Sequence, residues 1–594
     1  MTEELQRQLA ELPFRRSADS ALKTAAAAGD LAGFQKAFSR SIAKPRKAFC
    51  KVFSDDTAKM SAGWEWSSPV DQEFANNLVV QVDAEQPNSL LRNADSLTPL
   101  QAIVAAEWLL RSSAKATPEE FTRVFLLLAN YKSGQEERAT ETSMYDAPER
   151  LVASAEAPIV VSLLLIFLKT SKSLGQAGLQ DLTDTLLSAT DTDGMLHGSI
   201  AASSFEFIAP VIRVLGWAKA YRETIFSDRP LSRWQHTLEQ AIAMRDRSGC
   251  VLSNAGLPTA DQQVSFLLAG CELSGLSKKS HFVQCLRGQT DKVSSKRKKK
   301  SKDTKSPAVL GNSQSDWTAT AVLRSGMQDK TDVIGLSWHE ATIRLGISAA
   351  GQRLTTGDWN FNIAVDGVEH KPVGDWVCTC WFQDDDVAFV ELEQGTADGN
   401  RHVRHVVLML SENVAILTDS VTCSNPDAEV EFASRLCGVS PRVGSLQVNP
   451  ITRELRGGDD ESPELRIVPA WLEDDRLINA TGECTWVDGD FHMSAKGKGG
   501  ITMPLVLDWN PVRKASEADW TKLTVTEDRV RVSPREAAGF RVRIGRLQLL
   551  IYRSLRPGKA LRAVLGYNTA NETIYGRFLN NGHVDPLVMV EADA

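Results

Sequence analysis

Histidine and tyrosine are scarce in this chain. Nine histidines and 6 tyrosines among 594 residues leave few side chains able to carry a proton near neutral pH, so acid–base chemistry has only a handful of places to sit. The 9 cysteines are scattered and odd in number. The closest two, Cys378 and Cys380 in "VCTCW", point the same way from a strand, and no pair of CxxC motifs occurs, which argues against a zinc ribbon and a disulfide framework. The longest apolar run is the 12-residue Ala157–Leu168, against the ~20 that a membrane-spanning helix needs. It is expected as a buried helix, with no membrane partner. The amino-terminal "MTEELQRQLAELPFRR" has no apolar signal core, so a cytoplasmic setting is expected. A net charge of −8 argues against a body that coats nucleic acid.

What is present is ordinary globular material, 42% hydrophobic and 24% charged, in a chain too long for one hydrophobic core. Up to residue 290 the pattern is helical. "TPEEFTRVFLLLAN" opens with Thr117 as N-cap, Pro118 at the first helical position and Glu120 closing a capping box. Ser203 and Glu206 stand in the same relation before the apolar stripe Phe205, Ile208, Ile212 and Leu215, which Pro210 is expected to kink. Trp234, Leu238, Ala241 and Met244 share a helical face, with Gly249 as a stop signal. Residues 291–316 read as a solvated linker. Its run Lys296–Lys300 is the one candidate nucleic-acid contact, although the aromatics that would stack on bases are missing nearby.

From residue 317 to 594 the period becomes two. "FRVRIGRLQLLIY" sets Phe540, Val542 and Ile544 against Arg541 and Arg543, "RHVRHVVLMLSENVAILTDSV" reads as a strand pair turning at "SEN", and "NFNIAVDGVEH" carries a DG turn. The expected fold is α+β and multidomain, with a large antiparallel β-sandwich after the helical half.

Several segments resemble one family. "DTDGMLHGSIAASSFEFIAPVIRVLGWAKAY", "AVLRSGMQDKTDVIGLSWHEATIRLGISAAGQRLTTGDW" with its Arg324–Ser325 pair, and the strands around Arg404, Asp419 and Val421 are similar to heparinase II/III-like polysaccharide lyases. "TDTDGMLHG" and "WVCTCWFQDDDVAFVELE" are similar to large planctomycete-type proteins of this build. The lyase resemblance implies an incomplete α/α toroid followed by the sandwich, an acidic polysaccharide bound in a cleft between them, and no cofactor or metal. A lyase of uronate polymers removes the proton α to a carboxylate, which needs a base, an acid and a group that neutralises the carboxylate. On this resemblance His197 is the candidate base and Tyr145 the acid, with Arg150, Asn254 and Arg404 as substrate-binding residues. Active members carry an Asn-His pair, which this sequence lacks. The alternative is therefore a catalytically inactive relative that acts as a carbohydrate-binding or structural protein.

Other polar groups admit blander roles. Asp384–Asp386 could offer the paired carboxylates of a glycoside hydrolase but read as a hairpin tip. Glu156 reads as a charge complementing a helix dipole. His402 and His405, three apart on a strand, face opposite sides and cannot share a metal ion. Trp359, Trp376, Trp381 and Trp486 read as core rather than as a sugar-stacking platform.

Overall fold

The computed structural model describes residues 2–53, 96–132, 146–253, 260–288, 311–328, 330–438, 446–458, 464–556 and 558–592. The chain divides into two compact units. One comprises Met1–Ala241 and Gly256–Leu286, the other Ile242–Ala255 and Arg287–Ala594. Among the described residues no helix is long and apolar enough to cross a membrane.

The first unit is helical, and its start signals are those read from the sequence. Thr117 accepts from the Glu120 amide while the Glu120 carboxylate accepts from the Thr117 amide, opening the helix Pro118–Ala129. Thr98 and Gln101 repeat the device at Pro99–Ser112. The apolar run Ala157–Leu164 is a buried helix, because a segment apolar all round must be enclosed. At Ser204–Tyr221 the expected box does not form. Ser203 makes no capping bond, and Glu206 is buried with its Oε2 unpartnered among the described residues. Pro210, inside this helix, removes the amide that the Glu206 carbonyl would otherwise receive. Burial pushes the Glu206 carboxyl up to about 7.

Glu156 does more than complement a helix dipole. It ends a π-helical turn, Leu151–Glu156, and meets Arg213 from Ser204–Tyr221 in a bidentate pair at 2.5 and 2.7 Å. Both side chains are buried. Burial pushes the Glu156 carboxyl up and Arg213 draws it back down.

The second unit is built of antiparallel sheets, which among the described residues have eight, nine, five and four strands, with a two-stranded ribbon beside them. The eight-stranded sheet is central. Its strands Val387–Thr396, Arg401–Met409, Val414–Thr422 and Gly500–Asp508 are buried on both faces almost throughout. One continuous core joins it to the nine-stranded sheet through Leu336, Leu345 and Phe432, and to the five-stranded sheet through Phe540, Val542 and Leu549. The sheets are therefore stacked in layers. The three hairpins read from the sequence are present: Ala537–Ile544 with Leu547–Ser554, Arg401–Met409 with Val414–Thr422, and Gln352–Val365 turning at Asp366–Gly367.

The boundary between the units differs from the expected 290/317 division. Ile242–Ala255 belongs to the sheet unit, and Ser313–Ser315, within the expected linker, is a strand of the nine-stranded sheet. The helix carrying Trp234 ends at Ala243, before Gly249, and the chain enters the ribbon Arg245–Asp246 and Gly249–Cys250. Three arginines hold this segment by its backbone. Arg324 donates to the carbonyls of Ala243 and Arg245, Arg344 to that of Leu252, and Arg353 to those of Cys250 and Ser253. Gly346 leaves room for it, since a Cβ there would collide with the Val251 carbonyl. The Arg324–Ser325 pair thus has a structural task.

Two outcomes test the helical unit. Glu156→Gln should destabilise it by about 3–5 kcal/mol, since breaking a buried pair strands one charge; denaturant titration reads the loss. Glu206→Gln should raise the melting temperature at pH 8 but not at pH 4. A carboxyl whose folded pKa lies above its unfolded value penalises the fold progressively as pH rises through that interval.

Candidate functional site

In the nine-stranded sheet the strands Gly482–Val487, Asp490–Lys498, Glu429–Leu436 and Gln352–Val365 are neighbours. Alternation sends Trp359, Phe432 and Met493 into the core and leaves polar side chains on the opposite face. Register aligns that face in rows. Thr485, His492, Arg435 and Asn360 lie directly across from one another, and Glu483, Ser494, Ala433 and Asn362 form the next row. At about 4.8 Å between strands, each row spans about 15 Å. Together they line a groove of about 380 Å³, with the small Ala433 leaving its middle open. Arg435 stands 3.8 Å from Asp490, half-exposed, and the Asn360 amide reaches the Cys437 Sγ at 3.5 Å. The groove so presents a guanidinium, an imidazole, two amides and a carboxylate. A guanidinium fork matches a carboxylate, amides match hydroxyls, and an imidazole moves protons near pH 7.

Of the residues expected from the sequence, His197 lies in the helical unit. It is N-cap of the short helix Gly198–Ala201, and its Nδ1 lies 2.8 Å from the Ser199 Oγ and accepts from the Ser199 amide. Its own amide donates to Ala189, at the end of the preceding helix. The turn before it is fixed by Asp191, which accepts from the amides of Asp193 and Met195. Gly194, at φ +79°, lies where a Cβ would strike the Thr237 amide. Burial lowers the His197 pKa, so the ring is neutral at pH 7, the form a base requires. Arg150 ends the helix Ala147–Arg150 and is half-buried. Tyr145, Asn254 and Lys296–Lys300 lie outside the described residues.

Arg404 is a correction. The expectation of substrate contact does not fit a side chain with no exposed surface. Its Nε donates to Asp419 at 2.8 Å, and its NH groups donate to the carbonyls of Trp359 and Asn360. The guanidinium sits 4.2 Å from the Trp359 ring centroid, with Phe361 and Trp376 also around it. Asp419 also bonds His402, at 2.8 Å. Trp359 and Trp376 are accordingly core residues, and Trp381 and Trp486 pack partly buried against the same core.

His405 is on the opposite face of the central sheet, as the odd spacing requires. It bonds Glu391 and Tyr575, each at 2.8 Å, while Arg553 donates to Glu391 at 3.1 Å. Asp384–Asp386 form the turn between Pro372–Gln383 and Val387–Thr396, with Asp384 accepting from two turn amides. Among the described residues no group of three His, Cys, Asp or Glu is placed to hold a metal ion.

The groove residues His492, Arg435, Asn360 and Asn362 escaped sequence reasoning. The local signal was legible: strict alternation in "EVEFASRL" and the DG turn at Asp488–Gly489. Which residues become neighbours was not, since register joins strands more than a hundred residues apart.

No family model and no curated protein sequence matches the chain. Solved structures do. The heparan sulfate lyase HepC mutant from Pedobacter heparinus superposes with a TM-score of 0.54 at 12% identity, over 93% of this chain and 99% of that one. Heparinase III gives 0.58 at 11% identity, over 92% and 99%. A second heparinase III gives 0.55 at 10% identity with the same coverage. This protein has a polysaccharide-lyase-like fold.

The buried ion clusters have a pH consequence. Burial drives the His402 pKa down to about 4, against the pull of Asp419. A histidine depressed in the fold takes up its proton in the unfolded chain first, so stability is lost as pH falls from about 6.5 to 4. His402→Gln should flatten this acid limb relative to the wild type, read as denaturation midpoints across that range.

Proposed function

We propose that this protein is a divergent heparinase II/III-like polysaccharide lyase, an incomplete α/α toroid followed by a β-sandwich, that cleaves an acidic polysaccharide by β-elimination. The observation that carries the reading is the groove of the nine-stranded sheet, where Arg435, His492, Asn360 and Asn362 meet on one face. Elimination needs the uronate carboxylate neutralised so that the α proton becomes acidic, and then a base and an acid. Arg435 supplies the charge, paired with a carboxylate through its fork, and the two amides hold sugar hydroxyls. His492 is placed to move a proton in this groove. His197, neutral through burial, is the base candidate of the helical unit, and Tyr145, Arg150 and Asn254 belong to the same reading as acid and carboxylate partners. No cofactor enters it.

The missing Asn-His pair supports a second reading, in which the protein binds an acidic saccharide without cleaving it. A panel of acidic glycans separates the two. Cleavage appears as the ultraviolet absorbance of an unsaturated uronate product, and calorimetry reports binding. Arg435→Ala should lower kcat/KM at least ~10-fold, a loss of about 1.4 kcal/mol of transition-state binding. His197→Ala and His492→Ala tell which imidazole serves as base, through loss of the corresponding limb of the pH–rate profile. Binding that Arg435→Ala abolishes, with no product from the wild type, selects the second reading. Neither product nor binding on any glycan defeats both.

A further inference from the structure

A second concavity lies at the far end of the strand that bears His492. Asp490–Lys498 leaves the nine-stranded sheet, turns at Gly499 (φ +67°) and continues as Gly500–Asp508 in the central sheet. Beside this turn, and against Ala518–Leu523 and the segment 531–540, is a cavity of about 470 Å³. Its walls carry Lys496, Lys498, Lys522, Arg531 and Arg535, and no aspartate or glutamate lines it. In a chain with 75 acidic and 67 basic residues, that segregation of charge needs an account.

The cations are not all neutralised by the fold. Lys496 pairs with Glu431 at 2.7 Å, Lys522 with Glu473 at 3.0 Å, and Arg535 with Asp427 at 2.5 Å. Lys498 and Arg531 are exposed and, among the described residues, stand in no ion pair. Arg535 also keeps a buried Nε without a hydrogen-bond acceptor among the described residues. Lys496 and Lys498, two apart on one strand, share a face about 7 Å apart, a like-charge neighbourhood that a bound anion would relieve. The buried Trp471, anchored by its Nε1 to the Ser494 carbonyl at 3.1 Å, contributes an apolar wall.

We propose that this cavity binds a small ligand carrying two or more sulfate or phosphate groups on a body of one or two rings. Tetrahedral oxyanions take up several lysine and arginine donors at once. The apolar wall covers the ring, and the volume falls in the range of small-molecule sites. The inference is independent of the lyase reading, since neither Lys498 nor Arg531 lines the groove.

The test is calorimetric titration of the full chain with four probes: a multiply sulfated disaccharide, a nucleoside triphosphate, a neutral disaccharide and inorganic sulfate. The sulfated disaccharide or the nucleotide should bind at least tenfold more tightly than inorganic sulfate, with affinity falling as salt rises. Whichever of the two prevails names the source of the anion, and the neutral disaccharide should not bind. Lys498→Gln with Arg531→Gln should weaken binding at least tenfold without changing the melting temperature. Tenfold preference for neither polyanion, or a double variant that binds as the wild type does, overturns the proposal.

Discussion

Enclosure of the central eight-stranded sheet on both faces is the constraint on which the sheet unit depends. A sheet buried on both sides must be apolar or must pair its charges completely, because an unpaired ion in such an interior costs several kcal/mol. This sheet does both. Its strands are runs such as "VAILTDSV", and the charges they carry are closed into clusters. On one face Asp419 takes Arg404 and His402, and the arginine goes on to two backbone carbonyls of the nine-stranded sheet. On the other Glu391 takes His405 and Arg553, the latter from the five-stranded sheet. Each cluster pins the central sheet to a different neighbour, so the ions give the stacking a fixed register that apolar contacts alone would leave loose.

That stacking decides which polar groups reach solvent. With the inner faces committed, the outer face of the nine-stranded sheet is what remains for recognition. Part of it is covered by Ile242–Ala255, held there by Arg324, Arg344 and Arg353 and admitted by Gly346. Beyond that segment lie Asn360, Arg435 and His492. The division of labour among the arginines is plain: those that hold carbonyls and carboxylates in the interior fix the structure, and those on the outer face are available to a ligand.

Much of the fold was legible. The capping box at Thr117, the buried helix at Ala157–Leu164, the Asp366–Gly367 turn and the turn at Asp384–Asp386 follow from rules acting within about ten residues. So does the separation of His402 from His405, which is a consequence of strand periodicity. Less of the site was legible. Arg404 reads identically in sequence whether it serves a substrate or a core, and only enclosure distinguishes the two. Glu156 likewise reads as a helix-end charge until Arg213, 57 residues away, is brought against it. At Ser203–Glu206 the local capping preference lost to burial of the glutamate.

The sequence by itself determined the helical and strand periods, the turn positions, the α+β class and the faces along each element, because these depend on short-range sterics and hydrogen bonding. Tertiary structure alone decided which faces were sealed and which strands became neighbours. It moved Arg404 into the interior, gave Ile242–Ala255 to the sheet unit, and set Arg435 between His492 and Asn360. The physical reason is that burial and cross-strand register are properties of residues distant in the chain, and no local pattern encodes them.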